Sequence, residues 1–214
     1  MDGIIFDVDG TLWDSTDIVA YSWNKIITEN TGINPHITGD GLKSLFGKTM
    51  DELTSALLPS LSKEERTRIG YLCFDHENAF LASHPGTLYP GVREVFESLS
   101  QETDLFIVSN CQSGYIEVLL QTCNLEKYIK DHLCFGETQA AKNETIRLLM
   151  KRNHLEEVVY VGDTQGDFDA CQKAGVPFVL AEYGFGDVPD AQMRIQTMEE
   201  LPDLLHKKGF LKSL

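Results

Sequence analysis

The sequence predicts an α/β fold, a parallel sheet with helices on both faces, interrupted near its start by an all-helical insertion. Two observations carry this. Short apolar runs ending in turns recur along the chain and alternate in its later half with helix-period patterns, which is the sequence form of a parallel sheet wound with helices. Residues 16–84 break that rhythm with several helix candidates and no convincing strand. The expected organisation is therefore a core from residues 1–15 and 85–214 and a helical unit from residues 16–84.

The elements follow in order. Ile4, Ile5 and Phe6 form a continuous apolar run before a glycine turn, the pattern of a parallel strand buried on both faces; it is drawn over Gly3 to Asp7. In the insertion, Val19, Trp23, Ile26 and Ile27 mark one helical face, and Ser62 with Glu65 forms a capping box opening a long helix towards Ser83. The flanks "WDST" and "HPGTLYPGV" are turn-rich and suited to hinges. Beyond them, strands are expected at Asp104 to Ser109, His132 to Phe135, Val158 to Val161 and Pro177 to Leu180. Helices are expected at Val92 to Ser100, Tyr115 to Cys123, Glu144 to Lys151 and Phe168 to Ala174. Thr197 and Glu200 form another capping box, starting a last helix.

At 214 residues the chain can bury a sizeable core without a partner. Thirty-three acidic against eighteen basic side chains give a net charge of -15, which opposes nonspecific attraction to nucleic acid or an anionic membrane. An anionic substrate would need local cations to overcome that background. The five cysteines are scattered and lack C-x-x-C spacing, which suits reduced, mostly buried thiols of a cytoplasmic protein. No apolar run reaches the length of a membrane span.

The polar residues that follow the strands carry the chemistry. Asp7 and Asp9 follow the first, Ser109 and Asn110 the second, Lys142 opens a helix after the third, and Asp163 and Asp167 follow the fourth. Strand alternation would send Asp7 and Asp9 to the same side if the extended geometry persisted that far. Each motif alone has a plainer account: D-G is a common turn, and Ser109 or Asp163 could cap a helix. Together they lie along one sheet edge, where ligands of such folds bind. Carboxylates converging there need positive charge, and an oxygen-only set suits Mg²⁺ better than Zn²⁺.

"FDVDGTLWDS", "VSN", a helix-opening lysine and "VGDTQGDFDA" together resemble the four motifs of the haloacid dehalogenase-like hydrolase superfamily, in the same order. "LYPGVREVFESL", "AGVPFVLAEYGFG" and the helical insertion are similar to its branch of phosphoglycolate phosphatases and β-phosphoglucomutases. The resemblance implies a Rossmann-like core with an inserted helical cap, and phosphoryl transfer through an aspartyl-phosphate. On it, Asp7 is the nucleophile and Asp9 the acid and base. Mg²⁺ is held by Asp7, the Asp9 carbonyl, Asp163 and Asp167. Ser109, the Asn110 N–H and Lys142 bind the phosphoryl group, and Gly10 permits the turn after the strand. Within the cap, "GLKSLFGKTMDEL" resembles the loop through which related caps reach substrate, which nominates Gly47 and Lys48. Trp13 and Asp14 stand where the chain leaves the core. Two departures are visible: no proline follows Lys142, and Cys111 follows "VSN".

The expected function is a Mg²⁺-dependent phosphatase of a small phosphorylated metabolite, phosphoglycolate or a sugar phosphate, acting as a monomer or weak homodimer without nucleic acid or membrane. A phosphomutase keeps both aspartates and stays open as an alternative. A non-catalytic phospho-acceptor also combines acids, a hydroxyl and a lysine, but in a shorter domain with the reactive Asp after a later strand.

Overall fold

The computed structural model describes residues 1–48 and 50–211. Six parallel strands form one sheet: β1 (Gly3–Phe6), β4 (Asp104–Ser109), β5 (Ile129–Cys134), β6 (Val158–Gly162), β7 (Phe178–Ala181) and β8 (Met193–Ile195). Their spatial order is β5-β4-β1-β6-β7-β8, with β1 at the centre. Phe6 is level with Ile107 on one side and Val161 on the other, so the residues following these strands emerge at one edge.

Alternation along the strands splits the core into two layers. Ile4, Phe6, Leu105, Ile107, Val159 and Val161 pack on one face, with α5 (Val92–Leu99), α6 (Tyr115–Cys123) and α10 (Leu201–Lys207) supplying apolar partners. Ile5, Phe106, Val108 and Tyr160 pack on the other, against α8 (Lys142–Arg152) and α9 (Gln165–Ala174). Both faces of β1 are thus sealed, which is why its apolar run is continuous rather than alternating.

Residues 16–81 carry four helices, α1 (Thr16–Thr31), α2 (Gly39–Lys43), α3 (Met50–Leu57) and α4 (Lys63–Leu81). The Ser62 hydroxyl accepts from the Glu65 N–H and the Glu65 carboxylate from the Ser62 N–H, so the capping box does open α4. The two flanks of this segment pair with each other: β2 (Trp13–Asp14) and β3 (Thr87–Leu88) form an antiparallel ribbon, with Trp13 opposite Leu88.

Two local expectations need correction. The strand drawn from His132 to Phe135 spans Ile129–Cys134, and Phe135 begins the short α7 (Phe135–Thr138), because the Glu137 carboxylate accepts from the Cys134 N–H and turns the chain there. β5 is an edge strand whose Lys130, paired with Asp104, and Asp131 break the apolar pattern. Thr197 makes no side-chain cap: Glu200 accepts from the Gln196 N–H instead, and a 3₁₀ turn (Met198–Glu200) leads into α10. Among the described residues no helix is long and apolar enough to cross a membrane, and all five cysteines are free thiols, four of them buried.

Candidate active site

Asp7 continues the ladder of β1 by one residue, its N–H donating to the Val161 carbonyl at 2.9 Å. The chain then leaves the strand. Leu12 N–H closes a turn onto the Val8 carbonyl at 2.8 Å, and Gly10 takes φ +80°. A Cβ on Gly10 would lie 2.0 Å from Asp163 Oδ2, so glycine is required for close approach as well as for its backbone angle. The turn, not strand alternation, places Asp9. Its Oδ1 accepts from Tyr115 Oη (2.6 Å), Trp13 Nε1 (3.1 Å) and Ser15 Oγ (3.2 Å), which anchor the carboxyl in the turn.

Those acids form a cluster. One carboxylate oxygen each from Asp7, Asp163 and Asp167 lies within 4.8 Å of the others, and all three residues are at most 4% exposed. Lys142, itself 7% exposed, donates from Nζ to Asp7 Oδ1 at 2.8 Å and to Asp167 Oδ1 at 2.5 Å. Two local devices set these positions. Ala141 precedes Lys142 in extended geometry, so the lysine is the first residue of α8. Thr164 and Asp167 form a capping box at the start of α9, which spends the second Asp167 oxygen on the backbone and leaves the first for the lysine. Asp163 accepts from Thr11 Oγ1 (3.2 Å) and the Phe185 N–H (2.7 Å).

The electrostatics are those of too many buried anions. Burial, then the charge of Asp167, pushes Asp7 up to about 6 despite Lys142. Asp163 is driven well above the usual carboxylate range by burial and by Asp167 and Asp7. Burial opposes the Lys142 charge, but Asp167 and Asp7 hold it above the ordinary lysine value. One ammonium does not neutralise three carboxylates. A hard dication would, and three converging oxygens with one lysine beside them fit such an ion. Asp9 is pushed up to about 7 by burial, against the three hydrogen bonds it accepts.

One cavity joins most of the predicted residues. Asp7, Asp9, Ser109, Asn110, Gly47 and Lys48 line it, while Lys142, Asp163 and Asp167 stand behind Asp7. Ser109 is buried and its Oγ accepts from the Cys111 N–H at 3.4 Å. Asn110 reaches across to the helical segment, donating from Nδ2 to the Gly47 carbonyl at 2.6 Å. Lys48 is exposed at the rim, and Thr49 of the same stretch lies outside the described residues. Trp13 is fully buried and Asp14 accepts from the Thr16 N–H and hydroxyl, so these two organise the start of α1.

A profile of the haloacid dehalogenase-like hydrolase family matches residues 4–181, from the first strand to β7. The chain belongs to that family. It is a hydrolase of the branch that phosphatases populate. Phosphoglycolate phosphatase of Aquifex aeolicus is 28% identical over 200 residues, covering 87% of this chain and 89% of that protein. Phosphoglycolate phosphatase of Salmonella typhimurium is 26% identical, covering 86% and 82%. Among solved structures, a haloacid dehalogenase-like hydrolase from Streptococcus pneumoniae superposes with a TM-score of 0.81 at 18% identity, covering 95% of this chain and 97% of that one. The likeness extends over the helical segment as well as the sheet.

The sequence reading missed Tyr115, Gln112 and Glu77. Glu77 had a visible signal: Ile69, Cys73, Glu77 and Leu81 stand four apart and all are buried, so an acid occupies the core stripe of α4. Tyr115 and Gln112 follow "VSN" with no signal distinguishing them from packing.

Proposed function

We propose that this chain is a Mg²⁺-dependent phosphatase that hydrolyses a small phosphomonoester through an aspartyl-phosphate on Asp7. The observation that carries the reading is the buried Lys142 shared by Asp7 and Asp167, with Asp163 within reach and Asp7 open to the cavity.

The residues divide the work. An Asp7 carboxylate oxygen forms the bond to phosphorus as the ester P–O bond breaks, and the departing oxygen takes a proton from Asp9. A pKa of about 7 leaves Asp9 able to carry that proton near neutrality and to accept one from the attacking water when the aspartyl-phosphate is hydrolysed. Ser109 Oγ and the Asn110 N–H hold a phosphoryl oxygen, and Lys142 offsets charge between the carboxylate and the phosphate. Mg²⁺ held by Asp7, Asp163, Asp167 and the Asp9 carbonyl would supply Lewis-acid charge neutralisation of the phosphoryl oxygens.

Residues 16–84 act as a cap on the remaining core. Hydrogen bonds between this segment and the core support that reading: Asn110 donates to the Gly47 carbonyl, Gln112 to Glu77 and Asn78, and Asn78 to the Ser113 carbonyl. Opening admits the ester, and closure excludes water during the first step. Phosphoglycolate and sugar phosphates are the first substrates to test, with the chain working as a monomer or weak homodimer in the cytoplasm. Phosphate release should require Mg²⁺, cease reversibly with EDTA, and fall at least about a thousandfold in Asp7→Asn. Isomerisation of a sugar phosphate without phosphate release would turn the reading to a mutase.

A further inference from the structure

Among the described residues, Glu77 is the one carboxyl that the cap contributes to the cavity lining. It is 4% exposed, yet it belongs to none of the phosphoryl chemistry above. Its Oε2 accepts from Trp23 Nε1 of α1 at 2.6 Å and its Oε1 from Gln112 Nε2 of the core at 3.0 Å. Gln112 uses the other hydrogen of the same amide on Asn78 Oδ1, at 2.9 Å, so the group that positions Glu77 is itself fixed. A carboxyl has about four acceptor sites, and two neutral donors leave it acceptor capacity for the cavity.

The phosphoryl end of the cavity is settled by Asp7, Ser109 and Asn110, so Glu77, Trp23, Phe74 and Leu53 face what is attached to the phosphate. Among the described residues no cation pairs with Glu77: the titratable groups that interact with it are Asp9 and Tyr115 of the core and Cys73 of its own helix, with Lys48 exposed at the rim. A hydroxyl on the leaving group can donate to such a carboxyl at no electrostatic cost. A carboxylate there must share a dry cavity with it, and can do so only while Glu77 keeps its proton.

We propose that Glu77 selects the leaving group, so that the site takes phosphate esters of uncharged, hydroxyl-bearing alcohols and turns away those carrying a carboxylate, increasingly as Glu77 ionises. This rests on the phosphatase reading and narrows its substrate class. Burial and the neighbouring Asp9 push Glu77 up to about 8, which places its ionisation within an accessible range.

The test is the ratio of kcat/KM for glycerol 3-phosphate to that for 2-phosphoglycolate, measured on the full chain with Mg²⁺ from about pH 6.5 to about pH 9. Both esters use the same Asp7 and Asp9, so the ratio cancels their titration. In the wild type the ratio should rise at least tenfold across that range, about 1.4 kcal/mol, and exceed ten at the upper end. In Glu77→Gln, nearly the same shape without the charge, it should be flat, the change residing in KM for 2-phosphoglycolate. Trp23→Phe, which removes one of the two donors fixing the carboxyl, should flatten the ratio in the same sense. A wild-type preference for 2-phosphoglycolate at the upper end, or the same pH course in both variants, overturns the proposal while leaving the phosphatase intact. Failure to hydrolyse these esters and p-nitrophenyl phosphate alike overturns the phosphatase reading and this inference with it.

Discussion

On the core wall of the cavity Asp7 and Asp167 share the ammonium of Lys142, whereas on the cap wall Glu77 is held by the neutral donors Trp23 and Gln112. Both walls bury carboxyls, but they resolve the cost differently. The core gathers three acids around one internal cation, leaving a negative centre that a dication fits. On the other wall Glu77 is the one acid of the helical segment that lines the cavity among the described residues; burial pushes it up to about 8, and the hydrogen bonds it accepts come from neutral donors. On the proposed phosphatase reading, the first wall would face the phosphoryl group and the second the alcohol it leaves.

The difference can be broken first at Lys142. Lys142→Met leaves the three aspartates without their cation, and loss of one partner of a buried ion pair costs about 3–5 kcal/mol. Denaturant unfolding should show a loss of that order in EDTA, of which added Mg²⁺ restores a part. An equal loss with and without Mg²⁺ would mean that the acids do not form a metal centre.

On the cap wall the expected effect is smaller and depends on pH. Glu77 ionises near 4.5 in the unfolded chain and near 8 in the folded one, so between these values the folded state holds the extra proton. Stability attributable to this group therefore falls as pH rises through that window and is level above it, by at most about 1.4 kcal/mol per pH unit. Glu77→Gln removes the decline, so its Tm should gain on the wild type from about pH 5 to about pH 8. A constant difference would place Glu77 in an ionised, solvated setting.

The smallest effect lies where the walls meet. Asn110→Ala deletes the hydrogen bond to the Gly47 carbonyl while keeping the backbone N–H assigned to the phosphoryl group. A neutral hydrogen bond of this kind contributes about 1 kcal/mol, so KM should rise several-fold with a lesser change in kcat. A collapse of kcat instead would put the side chain in the chemistry rather than in closure.

The two walls were also unequally legible in the sequence. Asp7, Ser109, Lys142, Asp163 and Asp167 stand out because each follows a strand or opens a helix, and a parallel sheet brings such positions to one edge whatever the intervening loops do. Asp9 stood out for the wrong geometric reason: β1 ends at Phe6, and the Gly10 turn places it. The cap wall depends on contacts across long separations. Gln112 and Glu77 are 35 residues apart, and only the closure of α4 over the sheet edge makes them partners. β8 and the β2–β3 ribbon escaped for another reason: strands of two or three residues are too short to show a period.

The most direct test of the account is to quench a reacting mixture of enzyme, Mg²⁺ and phosphomonoester with acid and locate the phosphoryl group by peptide mass spectrometry. The account predicts an adduct on the peptide carrying Asp7, lost in Asp7→Asn along with turnover. Sustained turnover in Asp7→Asn, or an adduct on a different residue, would contradict it.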